Sequence, residues 1–198
     1  MKLVKTLVLL VPVVLFSMAG FAATSAIGNT VAPILNVQVN VQSALSLTLS
    51  TGVAAGSCPI TAGADYDVNF GNVNALVDNP GNCAAFLGAN TSGAVWATQY
   101  QLTPSYSGFT NSTANIVVNA TAFANSNLRL VESGTNTFAA LQAAGGAVPV
   151  APSNAHSFTT TNNGTALSRY IGVNVAPGNG AGSSGADTTV VTFTMTVP

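Results

Sequence analysis

Asp65, Asp67, Asn69 and Gly71 stand at alternate positions, in the manner of the opening of a calcium-binding loop. Such a loop needs a glycine at its sixth position and a glutamate at its twelfth. Those places hold Phe70 and Leu76, so the stretch reads instead as the polar face of a strand whose other face is Tyr66, Val68 and Phe70. His156 is the one histidine of the chain, and any Ser/His/Asp or Cys/His triad would have to be built on it. Its neighbours Asn154 and Ser157 make no nucleophile motif and no G-x-S-x-G occurs. It therefore reads as a surface histidine beside a strand. Glycoside hydrolysis needs a pair of carboxylates, and the sequence offers five acids, two of them close together on one strand face. Trp96, Tyr100 and Tyr106 could stack on a sugar, but Trp96 and Tyr100 share a face with Leu102, which is the pattern of a core strand. These residues predict no enzyme, no metal site and no cofactor.

What the cysteines do depends on where the chain goes. Residues 1–22 have the build of a secretory signal peptide. Lys2 and Lys5 come first, then the apolar run Thr6 to Phe16, then Gly20-Phe21-Ala22 as a small-x-small cleavage site. The run is too short for a membrane span, and no later stretch approaches the roughly 20 apolar residues a span needs. The mature protein is expected to be soluble and exported. In an exported chain Cys58 and Cys83, the only two cysteines, most simply form one bridge. The alternative is two unpaired buried thiols, and without a nearby histidine they make no zinc site.

Removal of the signal would remove both lysines, taking the formal net charge from −1 to −3, with Arg129 and Arg169 as the remaining basic groups. That leaves no basic stripe to neutralise phosphates, so nucleic acid and anionic membrane are poor partners. Hydrophobic residues make up 48% and charged residues 5%, the opposite of a disordered chain. A mature length of about 175 residues suits one domain with a real core.

The positioning elements are strands. From Leu35 to Ser50 the apolar residues Leu35, Val37, Val39, Val41, Leu45, Leu47 and Leu49 all take odd positions, with Asn, Gln, Ser, Thr or Ala between them. This is period-two alternation. As one strand it would run about 50 Å, against about 17–20 Å for an ordinary strand. Either it bends near Ser43 and Ala44 and crosses between sheets, or its first half packs on a different molecule. Further strands are expected at Asp65 to Val73, Val95 to Thr103 (closed by Pro104), Asn115 to Phe123, Asn127 to Glu132, His156 to Thr161, Leu167 to Val175 and Thr188 to Val197. Ala139 to Ala144 suits a helical turn. Pro177 to Ala186 suits a long hairpin connection. Many short strands, polar turns and no fixed repeat predict an antiparallel β-sandwich.

Ser50-Thr51-Gly52, Ser57-Cys58-Pro59-Ile60 and Val68-Asn69-Phe70-Gly71-Asn72-Val73 resemble the opening of spore coat protein U domains and archaic (Csu-type) chaperone–usher pilus subunits. In that family a cysteine just after the first body strand precedes an x-F-G-x strand. Residues 126–138 (SNLRLVESGTNTF), Ser157-Phe158-Thr159-Thr160-Thr161 and residues 182–197 (GSSGADTTVVTFTMTV) are similar to its later strands. The similarity covers most of the mature chain in the family's order. Cys83 comes earlier than the family's second cysteine, the chain ends in Val197-Pro198 without an aromatic strand end, and its mature part would lack lysine.

The resemblance implies an immunoglobulin-like sandwich that lacks one strand, filled first by a periplasmic chaperone and then by the next subunit's N-terminal extension. Leu35, Val37, Val39 and Val41 match that donor segment. The implied organisation is a signal peptide at 1–22, a donor extension at 23–43 and a pilin-like body at 44–198. Expected partners are copies of the chain or related subunits, a periplasmic chaperone and an outer-membrane usher. The expected product is a pilus or fimbria at the cell surface, serving adhesion or biofilm formation. The other reading is a monomeric secreted sandwich that binds a ligand such as a glycan through loops at Ala84 to Ala94 or Pro177 to Ala186.

Overall fold

The computed structural model describes residues 38, 42–62, 66–150, 156–177 and 187–198. The chain divides into two units, Met1–Asn40 and Val41–Pro198, and every element below belongs to the second. The centre is β5 (Gly93–Ser107), long enough to serve two partners on one edge. β4 (Ala85–Asn90) pairs with its first half, and β1 (Ala44–Thr51) pairs with its second. Its other edge takes β9 (Leu167–Val175), and β7 (Leu128–Ser133) pairs beyond that. A smaller sheet has the order β10 (Val191–Thr196), β6 (Ala114–Ala120), β8 (Ser157–Thr160). All these pairings are antiparallel, as in the short hairpin of β2 (Ile60–Ala62) with β3 (Tyr66–Val68). The body is thus all-β and sandwich-like, with one short helix, α1 (Phe138–Gln142), capped by the Thr137 hydroxyl accepting from Ala140 N.

The core forms because β6 turns Ala114, Ile116, Val118 and Ala120 inward against Tyr100, Leu102, Leu130 and Ile171 of the larger sheet. The first half of β5 is buried on both faces. Trp96 faces one side, while Val95 and Ala97 face Val131 and Leu141, the latter carried by α1. A strand covered on both faces reads as a continuous apolar run, which VWA provides. Cys58 and Cys83 are joined. The bridge ties the segment after β1 to the approach of β4. In the chain-entropy model a loop of this size is worth about 3.5 kcal/mol.

Several local expectations change. β5 does not stop at Pro104 but continues to Ser107. The Pro104 carbonyl accepts from Gly164 N, so its nitrogen points to the same side, past the end of β9 at Leu167, where no ladder bond is lost. The stretch 84–94, read as a loop, contains β4 and a tight return to β5, with a bulge at Phe86/Gly88 where Gly88 has φ of 141°. Of Asp65 to Val73 only Tyr66–Val68 is strand; Asp65 lies outside the described residues. Beyond it the side chains of Asn69 and Asn74 accept from Gly71 N and from Leu76 N and Val77 N, offering the backbone turns in place of a ladder. Nor do β9 and β10 form a hairpin, since they lie in different sheets.

Candidate functional site: an open apolar edge and a buried ion cluster

On β1 the side chains of Leu47 and Leu49 point inward but stay half-buried, and Leu45 is 48% exposed. On β10 Val191, Phe193 and Met195 do the same at alternate positions. Of these six, all except Leu45 pack against the core of Tyr100, Leu102, Ile116 and Val118, together with Ile60 and Phe70. Among the described residues the backbone ladder of β1 is with β5 alone and that of β10 with β6 alone, so each keeps one ladder edge free; at the end of β1 the Thr51 hydroxyl accepts from Ile60 N of β2. The layers explain the half-burial. The Phe193 ring lies 5.6 Å from that of Tyr100, which places β10 over β5. The Phe158 ring lies 3.4 Å from the Arg169 guanidinium carbon, which places β8 over β9. β1 is one strand beyond β5, and among the described residues no strand of the smaller sheet lies over it. On the opposite side the layers are joined. Val148 N donates to Leu130 O of β7 and Ala120 N of β6 donates to Pro149 O, so residues 148 and 149 join the two sheets.

Leu35, Val37, Val39 and Val41, the donor residues of the sequence reading, lie outside the described residues, as does the signal segment. Trp96 and Tyr100 are buried core residues, and the Tyr106 hydroxyl donates to Ser112 O at 2.5 Å, so the three form no stacking platform.

His156 is corrected: it is 7% exposed, not a surface residue. Its Nε2 lies 2.6 Å from Glu132 Oε2 and its Nδ1 3.0 Å from Gly145 O. Glu132, on β7, is fully buried. It accepts from Arg169 Nε at 2.5 Å and Nη2 at 2.8 Å, a two-pronged pairing, and from the Tyr100 hydroxyl at 2.8 Å. Burial alone would raise the Glu132 carboxyl. The Arg169 and His156 hydrogen bonds, the Arg169 charge and the Tyr100 hydroxyl outweigh it and hold the group below the usual carboxylate range. Burial, then the Glu132 charge and hydrogen bond, push the Tyr100 phenol far above its ordinary value, so it remains an O–H donor. Burial would lower Arg169, but the hydrogen bond and charge of Glu132 raise it. A shallow pocket of about 260 Å³ opens beside the cluster, between Ser133, Gly134, Gly145 and Ser157. Ser133 and Ser157 share the pocket with the ring, but among the described residues no serine or cysteine side chain is hydrogen-bonded to it. The ionic partners come from β7 and β9, far from His156 in sequence, and the neighbours Asn154 and Ser157 carry no signal of them. Compared with known proteins, the chain matches no family model, no curated protein and no solved structure.

Proposed function

We propose that this chain is a structural subunit of an extracellular pilus-like filament, assembled by donor-strand complementation and not an enzyme. The observation that carries the reading is the half-buried apolar row of β1 and β10 with a free strand edge on either side among the described residues. An extended segment with apolar side chains at alternate positions fits such a gap, because main-chain bonds satisfy the edges and alternate side chains fill the groove. Leu35, Val37, Val39 and Val41 have that spacing. On this reading the segment enters the neighbouring copy, a periplasmic chaperone holds the gap beforehand, and an outer-membrane usher passes the subunits to the cell surface. Adhesion or biofilm formation is the output. The resemblance to archaic pilus subunits supports the same assignment.

Burying four such side chains contributes on the order of 6–12 kcal/mol, at about 1.5–3 each. A charge in the middle of the row finds no partner in an apolar groove. Val39→Asp is expected to abolish filaments while leaving the body folded, and Asn40→Asp, on the opposite face, to polymerise nearly as wild type. Filaments of Val39→Asp in normal yield, or an unfolded monomer, would overturn the reading.

One observation favours the second reading, a ligand-binding monomer. A polar hollow of about 430 Å³ is lined by Ser92, Ser126, Asn127, Arg129, Gln142 and Asn174, among others. Glycan binding by a monodisperse monomer, lost in Arg129→Ala, would select it.

A further inference from the structure

Arg129 on β7 and Asn174 on β9 are register partners, and Asn174 pairs in turn with Val95 of β5. Directly opposed residues share a face. Since Leu130 faces the core and Val95 meets Leu141 of α1, this row lies on the face of the larger sheet turned away from the smaller one. α1 ends beside it at Gln142, and there the hollow of about 430 Å³ opens, within the size range of ligand sites. Asn174 is 4% exposed and lines the hollow, and among the described residues its side chain has no hydrogen-bond partner. A carboxamide so enclosed has donors and an acceptor to satisfy. The turn before β5 makes room for it: a Cβ at Gly93, where φ is 126°, would lie 2.5 Å from Asn174 Oδ1. Asn90 and Gln142 exchange two amide hydrogen bonds, of 2.6 and 2.9 Å, which fix the wall beside it.

The charge of the hollow is one-sided. Arg129 Nη2 donates to Gln142 O at 3.0 Å, which holds the guanidinium at the wall; its Nε and Nη1 have no partner among the described residues. No acid lines the hollow. Glu132, three positions along β7, takes the opposite face and is bound to Arg169, while Asp187 is occupied by the amides of Ala124 and Asn125. We propose that this hollow binds a uronate saccharide, with Arg129 taking the carboxylate and Asn174 a neighbouring hydroxyl. An arginine fork matches a carboxylate. Ser92, Ser126 and Asn127 add groups that both donate and accept, as sugar hydroxyls do. Ala176 is the one apolar residue of the lining, so an apolar ligand has nothing to pack on. The inference deepens the ligand-binding reading of this hollow by naming its ligand. Because the hollow opens away from the smaller sheet, it holds for a monomer and a filament subunit alike.

Isothermal titration calorimetry of the full chain with uronate trisaccharides (galacturonate, guluronate and mannuronate) tests this. Their methyl esters serve as neutral isosteres, and polyglutamate as an anion without sugar hydroxyls. At least one trisaccharide is expected to bind, with its ester and polyglutamate about tenfold weaker or more, the factor that a hydrogen bond to a charged group supplies. Arg129→Gln should weaken the trisaccharide by about tenfold or more, and Asn174→Ala by about three- to tenfold. Arg129 is exposed, so its variant decides the matter even if Asn174→Ala fails to fold. No heat with any of the trisaccharides, an unchanged affinity in Arg129→Gln, or polyglutamate bound as tightly would overturn the proposal. An ester bound as tightly as its acid would leave the ligand-binding reading standing and overturn this one.

Discussion

Glu132 is the residue on which the interior charges converge, and its removal should be the most damaging polar change in the body. Glu132→Gln leaves the Arg169 guanidinium largely buried without its counter-charge. Breaking a buried pair from one side costs about 3–5 kcal/mol, so a marked fall in the urea midpoint is expected. Because the folded carboxyl is held below its ordinary range, its contribution is full above that range. It is lost as pH falls through the folded value. Wild type should therefore lose stability in acid more steeply than Glu132→Gln, as chemical denaturation at stepped pH would measure. Little of this cluster was legible beforehand. Glu132 and Arg169 sit on strands as ordinary polar residues, and only the register of β7 on β9, with the return of His156 against them, makes them a unit. The Cys58–Cys83 bridge, in contrast, followed from the expectation of export and a count of two.

Strands with a clear alternation were readable: β6 and the inward faces of β1 and β10 follow the apolar positions of the sequence, and β9 does so except at Arg169. β4 was not, because Gly88 and small residues blur its period and its place depends on pairing with β5. The extension of β5 past Pro104 was hidden for a related reason, since whether proline is tolerated depends on where the neighbouring strand ends. At this scale the open edges make a prediction. The body from Ala44 onward, expressed alone, exposes an apolar row and two free edges, a combination that invites aggregation. It is expected to aggregate or melt without cooperativity, and a peptide spanning Pro33 to Gln42 should restore a cooperative, higher melting transition by calorimetry. A peptide with Val39→Asp should not. A body that is monomeric and cooperative without any peptide would mean that β1 and β10 need no strand between them.

For the whole molecule, the proposed reading rests on three features: the signal-like composition of residues 1–22, the alternation from Leu35 to Ser50 and, among the described residues, a smaller sheet whose edge strand β10 lies over β5 while the larger sheet continues to β1. On that proposal the chain is a unit that its neighbour completes. Electron cryomicroscopy of the native protein tests this most directly. Filaments are expected in which residues 35–41 of one subunit run between β1 and β10 of the next, with Leu35, Val37, Val39 and Val41 facing Phe193 and Leu49. Separate particles, or filaments in which that segment stays with its own body and the β1–β10 gap is filled by nothing from a neighbour, would contradict it.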